Sequence, residues 1–199
     1  MTNIQGIEVL TRSHDYLREV VAAVPEAAWA APTPCTEWTV RQVLNHARID
    51  QQAYGLVLTG DRPDSDPFHP ADTLAGDPAA ELELDMVLRM VADAYTHLPA
   101  DAEQVLTPLG PLPLPIAAAT AAMDAAVHAW DIAAATGQNR PLDTDLAEGI
   151  WPAADRLVDQ LRDSYRVFAP ALEARDEYDR AEALLAFLGR DPHWTPAAS

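Results

Sequence analysis

Lysine is absent from this chain of 199 residues, and all 13 of its basic residues are arginine. Enzymes that form a Schiff base, anchor pyridoxal phosphate or bind nucleotides through a P-loop lysine are therefore excluded. A single cysteine, Cys35, excludes an intrachain disulfide, a CxxC redox pair and a thiolate zinc cluster. The eight glycines form no GxGxxG motif, and no serine lies in a GxSxG motif, so two further enzyme classes have no support.

Positive charge is scarce as well, because 31 acidic residues outnumber 13 basic ones and the net charge is −18. Nucleic acids and anionic membranes are bound by clustered basic side chains, so we expect neither as a partner. The chain has no apolar run of the roughly 18 to 20 residues that a membrane helix needs. Its first segment is amphipathic and carries acids, unlike a signal peptide. We expect a single cytoplasmic domain over residues 1–199, a monomer or homodimer.

Apolar residues recur at helical spacing in six segments. The predicted helices cover residues 5–24, 40–58, 78–98, 116–137, 143–168 and 179–188. Thr36 or Thr39 caps the second helix, and Thr39 has Gln42 three residues on, as in a capping box. We predict a surface loop at 61–76 and, because of its four prolines, an extended or turn path without helix at 107–115.

No segment shows the alternation of polar and apolar residues that is typical of a strand. Four long helices joined by loops pack most simply as an antiparallel bundle. The predicted fold is therefore all-α, an antiparallel four-helix bundle with one or two additional C-terminal helices.

The fourth predicted helix carries an acid and a histidine four residues apart, Asp124 and His128. At this spacing both side chains lie on one face of the helix, one turn apart, and can chelate one divalent cation. Their neighbours are mostly alanine, and burying these polar groups without a partner would be costly. A simple hydrogen bond between them is the alternative. His46, on the second helix, is by itself more typical of a core histidine than of a ligand.

Three segments carry more specific information: CTEWTVRQVLNH (35–46), DAAVHAWDIAAATG (124–137) and LLAFLGRDPHW (184–194). In this order they resemble the DinB-like superfamily, and most closely its actinobacterial branch related to mycothiol-dependent maleylpyruvate isomerase. The resemblance spans almost the whole chain. It implies a DinB-like helical bundle in which His46, Asp124 and His128 bind a divalent metal. The family usually has glutamate where this chain has Asp124. Because aspartate is shorter by one methylene, the metal must lie closer to the helix or be held through water.

Two imidazoles and one carboxylate leave coordination positions open, as in a catalytic metal site. Zinc suits this ligand set best, and nickel, iron and manganese are alternatives. The resemblance implies a thiol-dependent isomerase or transferase that acts on a small electrophilic molecule, with mycothiol as co-substrate and a metal-activated thiol or water as the reactive group. Another metal-assisted reaction, such as hydrolysis or cyclisation in secondary metabolism, and a non-catalytic metal- or small-molecule-binding bundle are the alternatives. No separate general base is evident, so catalytic residues stay unassigned.

Polar residues near the three ligands have weaker predicted roles. Asp131 follows His128 by three residues and either orients its imidazole or pairs with an arginine or a helix end. Asp50 follows His46 by four residues, and the same two roles apply to it. His14 is predicted to be a hydrogen-bonded core residue or to face the mouth of the site.

The remaining candidates surround the site in sequence. The predicted rim residues on the second helix are Arg48, Gln51 and Tyr54. Cys35 is interpreted as a small apolar plug beside Trp38, not as a nucleophile. No role is assigned to His69, His97 and His193. The segments 61–76 and 107–115 are expected to shape the mouth of the pocket.

Overall fold

A computed structural model describes residues 1–62, 66–71, 78–99 and 101–196 of the chain. Within these ranges the architecture is mainly helical, which confirms the predicted all-α class. The six helices are α1 (Asn3–Ala22), α2 (Val40–Thr59), α3 (Pro78–Thr96), α4 (Leu114–Ala135), α5 (Thr144–Tyr165) and α6 (Arg180–Phe187), with a short 3-10 helix at Glu26–Ala28. In the described part of the chain, no helix is both long and apolar enough to cross a membrane.

The helix that carries His46 begins at the predicted capping box. The Thr39 side chain accepts a hydrogen bond from the Gln42 backbone, and the Gln42 side chain accepts one from the Thr39 backbone. These bonds pair two N–H groups that the start of a helix leaves without a partner. Gly60 ends α2 in the left-handed conformation, with φ of 88°, which glycine adopts without strain.

The proline-rich segment follows an extended and turn path up to Pro113, as predicted, but it also pairs into a β-hairpin that the sequence did not indicate. Strands β1 (Gln104–Thr107) and β2 (Gly110–Pro113) pair antiparallel. Both are edge strands, where prolines without an N–H group are tolerated. Pro115, expected to prevent helix, lies in the first turn of α4, where its N–H group would have no helical partner anyway. The helix therefore begins two residues before the predicted start.

The central element is α4, which packs against α1, α2 and α5. Its residues are almost all buried, and half of them are alanines, whose short side chains let neighbouring helices approach closely. Helix α2 packs on both α3 and α4, and α6 packs on α5. A polar residue on α4 is thus placed inside the protein, where it needs a partner.

Candidate metal centre

Helices α2 and α4 bring the three predicted ligands together. His46, Asp124 and His128 each offer a donor atom, and these atoms lie within 4.8 Å of one another. The Asp124 Oδ1 atom lies 3.9 Å from His46 Nε2 and 3.7 Å from His128 Nε2. A tetrahedral cation with bonds of about 2.1 Å spaces its ligand atoms about 3.4 Å apart. The donor set and its spacing therefore fit a divalent cation.

In each of the two histidines, the Nδ1 atom makes a hydrogen bond that fixes the orientation of the ring. His46 Nδ1 donates to the Pro67 carbonyl at 2.9 Å, and His128 Nδ1 donates to Asp131 Oδ2 at 3.0 Å. A neutral imidazole that donates through Nδ1 has a free lone pair on Nε2. Burial lowers the pKa of both histidines, that of His46 to about 4 with a further contribution from nearby His128. At neutral pH both rings are in the form that binds metals.

Asp131 makes both of the interactions that the sequence left as alternatives. Its carboxylate accepts from His128 and also pairs with Arg190, at 2.9 Å from Nε and 2.8 Å from Nη2. Asp131 is 0% exposed. Burial alone would raise its pKa, yet the Arg190 charge and these hydrogen bonds hold the pKa at about 2. Arg190 was not assigned a role from sequence, although it lies in the GRDP end of the third segment.

Asp124 is oriented by a buried glutamine. Gln51 Nε2 donates to Asp124 Oδ2 at 2.7 Å and to the Ala121 carbonyl at 2.9 Å. Gln51 Oε1 accepts from His14 Nε2 at 2.9 Å. Since a carbonyl can only accept, Ala121 defines which end of the amide is the donor. Oδ2 of Asp124 is thereby occupied, and Oδ1 is the oxygen that faces the two histidines.

This hydrogen-bond chain also decides two weaker predictions. Gln51 is 0% exposed and His14 is 1% exposed, so Gln51 is not a rim residue. Its position on α2 faces inward between α1 and α4, which sequence periodicity left open. His14 is a hydrogen-bonded core residue, one of the two predicted roles, and burial lowers its pKa to about 4.

Asp50 does not orient the His46 ring as one of its two predicted roles required, because it lies next to the other ring nitrogen. Its Oδ2 atom is 3.5 Å from His46 Nε2, the nitrogen that faces the candidate metal position. The Nδ1 atom that it was expected to orient is bonded to Pro67 instead. Burial raises the pKa of both the Asp50 and the Asp124 carboxyl groups, and the nearby charge of Asp50 raises that of Asp124 further.

Aromatic side chains cover the site on the His46 side. The Trp38 ring centroid lies 4.4 Å from that of His46, and the Phe68 centroid lies 6.1 Å from it. Phe68 belongs to the predicted loop 61–76, of which residues 63–65 and 72–76 lie outside the described residues. The described part of this loop therefore borders the site, as expected.

Other candidates lie away from the three donor atoms. Arg48 approaches Glu83 of α3, with Nε 4.0 Å from Oε2, and Tyr54 packs in the apolar core. Cys35 packs with Trp38 in an apolar cluster, and burial raises its pKa to about 11, in agreement with an apolar plug. The buried hairpin residues form a separate apolar cluster with α4 and α5. The three unassigned histidines are exposed: His69, His97 and His193.

Comparisons with known proteins bear on the family. A family model described as the mycothiol maleylpyruvate isomerase N-terminal domain matches residues 10–133, which include all three candidate ligands. Two proteins described as uncharacterized, from two strains of Mycobacterium tuberculosis, are 32% identical over 181 residues, covering 90% of this chain and 94% of each relative. Crystal structures of the mycothiol-dependent maleylpyruvate isomerase and of a His-to-Ala mutant match with TM-scores of 0.60 and 0.59, at 16% and 14% identity. Each match covers 77% of this chain and 68% of the other, and likeness at this identity concerns the fold alone.

Proposed function

The chain belongs to the mycothiol maleylpyruvate isomerase N-terminal domain family, and from this premise we propose that it is a metal-dependent enzyme that uses a low-molecular-weight thiol. Its substrate is a small electrophilic molecule, which it isomerises through reversible thiol addition or to which it transfers the thiol. The observation that carries the proposal is the convergence of two imidazole Nε2 atoms and one carboxylate oxygen within 4.8 Å of one another. Mycothiol is the co-substrate that family membership suggests.

We infer that His46, Asp124 and His128 hold the cation, with zinc as the best match to two histidines and a carboxylate. A bound cation of this kind polarises a carbonyl and lowers the pKa of a coordinated thiol or water. The protein contributes the orientation of its ligands, because Pro67 and Asp131 hold the Nδ1 atoms of the two imidazoles. Trp38 packs against the ring of His46, which limits the access of water to this side chain.

The ion pair between Asp131 and Arg190 supports the same function. A negative carboxylate that accepts a hydrogen bond from the Nδ1–H group of a metal-binding histidine makes Nε2 a stronger electron-pair donor to the metal. It also keeps the ring in one orientation. Arg190 keeps that carboxylate ionised inside the protein, where an isolated charge would be unstable. These two residues act through His128 and are positioning residues, not ligands.

Metal analysis and a turnover assay test the proposal together. Protein purified without chelator should contain about one equivalent of divalent metal, as a single three-ligand site requires. It should isomerise maleylpyruvate, the first substrate to test, in the presence of mycothiol that is released again, or join mycothiol to another small electrophile. Either activity should be lost when a chelator removes the metal. His46→Ala should lose both metal and turnover while the helical circular dichroism persists.

The matched control is His97→Ala, since His97 is exposed and bonds to its own helix. It should retain metal and turnover at wild-type levels. The proposal is wrong if the wild-type protein takes up no divalent metal. Metal uptake without turnover on any thiol–electrophile pair would instead indicate a non-catalytic metal-binding protein.

A further inference from the structure

The end of the bundle that the β-hairpin covers carries exposed apolar side chains. They belong to the start of α1 and to the outer face of the hairpin, and we call them the apolar end surface: Ile4, Leu106, Leu109 and Pro111. We propose that two copies of the chain pack through this surface around a two-fold axis, with their bundles on opposite sides of the contact. The inference does not depend on the metal centre, because the hairpin packs on Leu58, about 18 Å along α2 from His46.

The register of the hairpin decides which of its side chains face outward. Successive side chains of a strand point to opposite faces. Val105 and its partner Leu112 face the bundle and are buried in an apolar cluster. The next pair, Leu106 and Pro111, therefore faces solvent, and Leu106 is 51% exposed. Since Leu109 in the turn is also exposed, by 42%, the hairpin is apolar on its outer face as well as on its inner face.

Helix α1 adds Ile4 to this outer face. The Asn3 side chain donates to the Ala102 carbonyl at 3.2 Å, which places the start of α1 beside the chain that enters β1. Side chains on a helix tilt toward its N-terminus, so Ile4, in the first turn, leans toward the end of the bundle. It is 79% exposed. Single exposed apolar residues are common, but a group of them at one place is typical of an interaction surface.

The distribution of charge favours a second copy of the chain as the partner. The net charge is −18, so copies repel one another wherever their acidic faces meet. Residues 1–7 and 104–123, which include the whole apolar end surface, contain no Asp, Glu, Lys or Arg, although these types make up 22% of the chain. A charged partner has no group to pair with here, whereas a second uncharged, apolar surface is complementary to it.

The position of the hairpin determines how two copies meet. Its outer face points away from the bundle, so two hairpins can stack face to face while their bundles point in opposite directions. Pairing of strand edges would instead place both bundles on one side of a single sheet. The edge of β2 is also closed, since Pro111 and Pro113 have no N–H group to donate. Face-to-face packing uses the same surface of both copies, so the assembly ends at two.

Sedimentation velocity over a range of protein concentrations tests the inference. We expect the wild-type chain to pass from monomer to dimer as its concentration rises, and added salt to strengthen the dimer by screening the repulsion between the copies. Leu106→Glu places a charge at two points of each dimer contact and should raise the dissociation constant at least about tenfold. Ile4→Glu should have the same effect, and it replaces Leu106→Glu if that variant loses its helical circular dichroism.

The matched control is Leu82→Glu, because Leu82 is 61% exposed near the start of α3 and outside the apolar end surface. It should dimerise like the wild type, and so should metal-free His46→Ala, which separates this inference from the proposed function. A wild-type chain that stays monomeric at all concentrations overturns the inference. A dimer that Leu106→Glu and Ile4→Glu do not weaken, or that Leu82→Glu weakens equally, overturns it as well.

Discussion

The two candidate histidine ligands are supported in different ways. His128 donates to Asp131, a fully buried carboxylate that Arg190 pairs with through two hydrogen bonds. His46 donates to the main-chain carbonyl of Pro67, in the described part of a surface loop. One ligand is therefore held by charge inside the core, and the other by a neutral group near the surface. The difference shows that two side chains with equivalent positions at one site can depend on different kinds of stabilising interaction.

The largest expected effect comes from breaking the buried ion pair between Asp131 and Arg190. Arg190→Met leaves the Asp131 charge unpaired in the core, and removal of one partner of a buried ion pair costs about 3–5 kcal/mol. We expect a loss of this size in the free energy of unfolding, measured by urea denaturation. Arg12→Met is the control, because its pair with Asp143 is exposed and contributes about 0–1 kcal/mol. Equal losses in the two variants would contradict the assigned importance of the buried pair.

The next largest effect is on the pH dependence of the free energy of unfolding, to which His46 and Asp131 contribute in different pH ranges. The pKa of His46 is lowered from 6.5 to about 4 in the folded protein, so as pH falls the unfolded state takes up the proton first. The free energy of unfolding of the metal-free protein should therefore fall by about 3 kcal/mol between pH 6.5 and 4 because of this residue. Asp131 has a folded pKa lowered from 3.8 to about 2, so its contribution is present above pH 3.8 and is lost as pH falls towards 2.

Denaturation of His46→Gln over this pH range checks the assignment. The variant should lose less stability than the wild type between pH 6.5 and 4, and should behave like it below pH 3.8. His97→Gln, at an exposed position, should follow the wild-type curve throughout. If His46→Gln also follows the wild-type curve, the pKa of His46 is not lowered in the folded wild-type protein.

The smallest expected effect concerns metal affinity. Asp131→Asn keeps an acceptor for His128 but removes its charge, and loss of such a partner typically lowers metal affinity about 10- to 100-fold. Pro67→Ala keeps the main-chain carbonyl that His46 uses, so its loss of affinity should be smaller. Competition titration with a zinc chelator, at a temperature where both variants are folded, measures the two values. Equal affinities for both variants would show that charge behind the imidazole has no role.

The pairing of the two candidate ligands on α4 was predictable because it depends on one helix. Asp124 and His128 are four residues apart, and helical geometry alone places them on one face. His46 could be joined to them only through the family resemblance, since it lies on another helix. The start of α2 was predictable for the same local reason, because Thr39 and Gln42 cap it through bonds over three residues.

The supports of the ligands were not predictable to the same extent. Arg190 lies 59 residues after Asp131, and nothing in their local spacing indicates a contact. Gln51 was interpreted as a rim residue because the α2 pattern alone does not say which neighbouring helix each face meets. The β-hairpin was missed because prolines at edge positions lack the alternating pattern that identifies longer strands.

The sequence by itself determined the approximate positions of the helices, the cap of α2, the exclusion of lysine and cysteine chemistry, and the residue types at the candidate site. These features depend on composition or on contacts within a few residues. The tertiary structure alone decided that Asp50 faces Nε2 of His46, that Gln51 occupies one oxygen of Asp124, and that Arg190 neutralises Asp131. The physical reason is that these contacts join elements far apart in the chain, so they exist only once the helices have packed around α4.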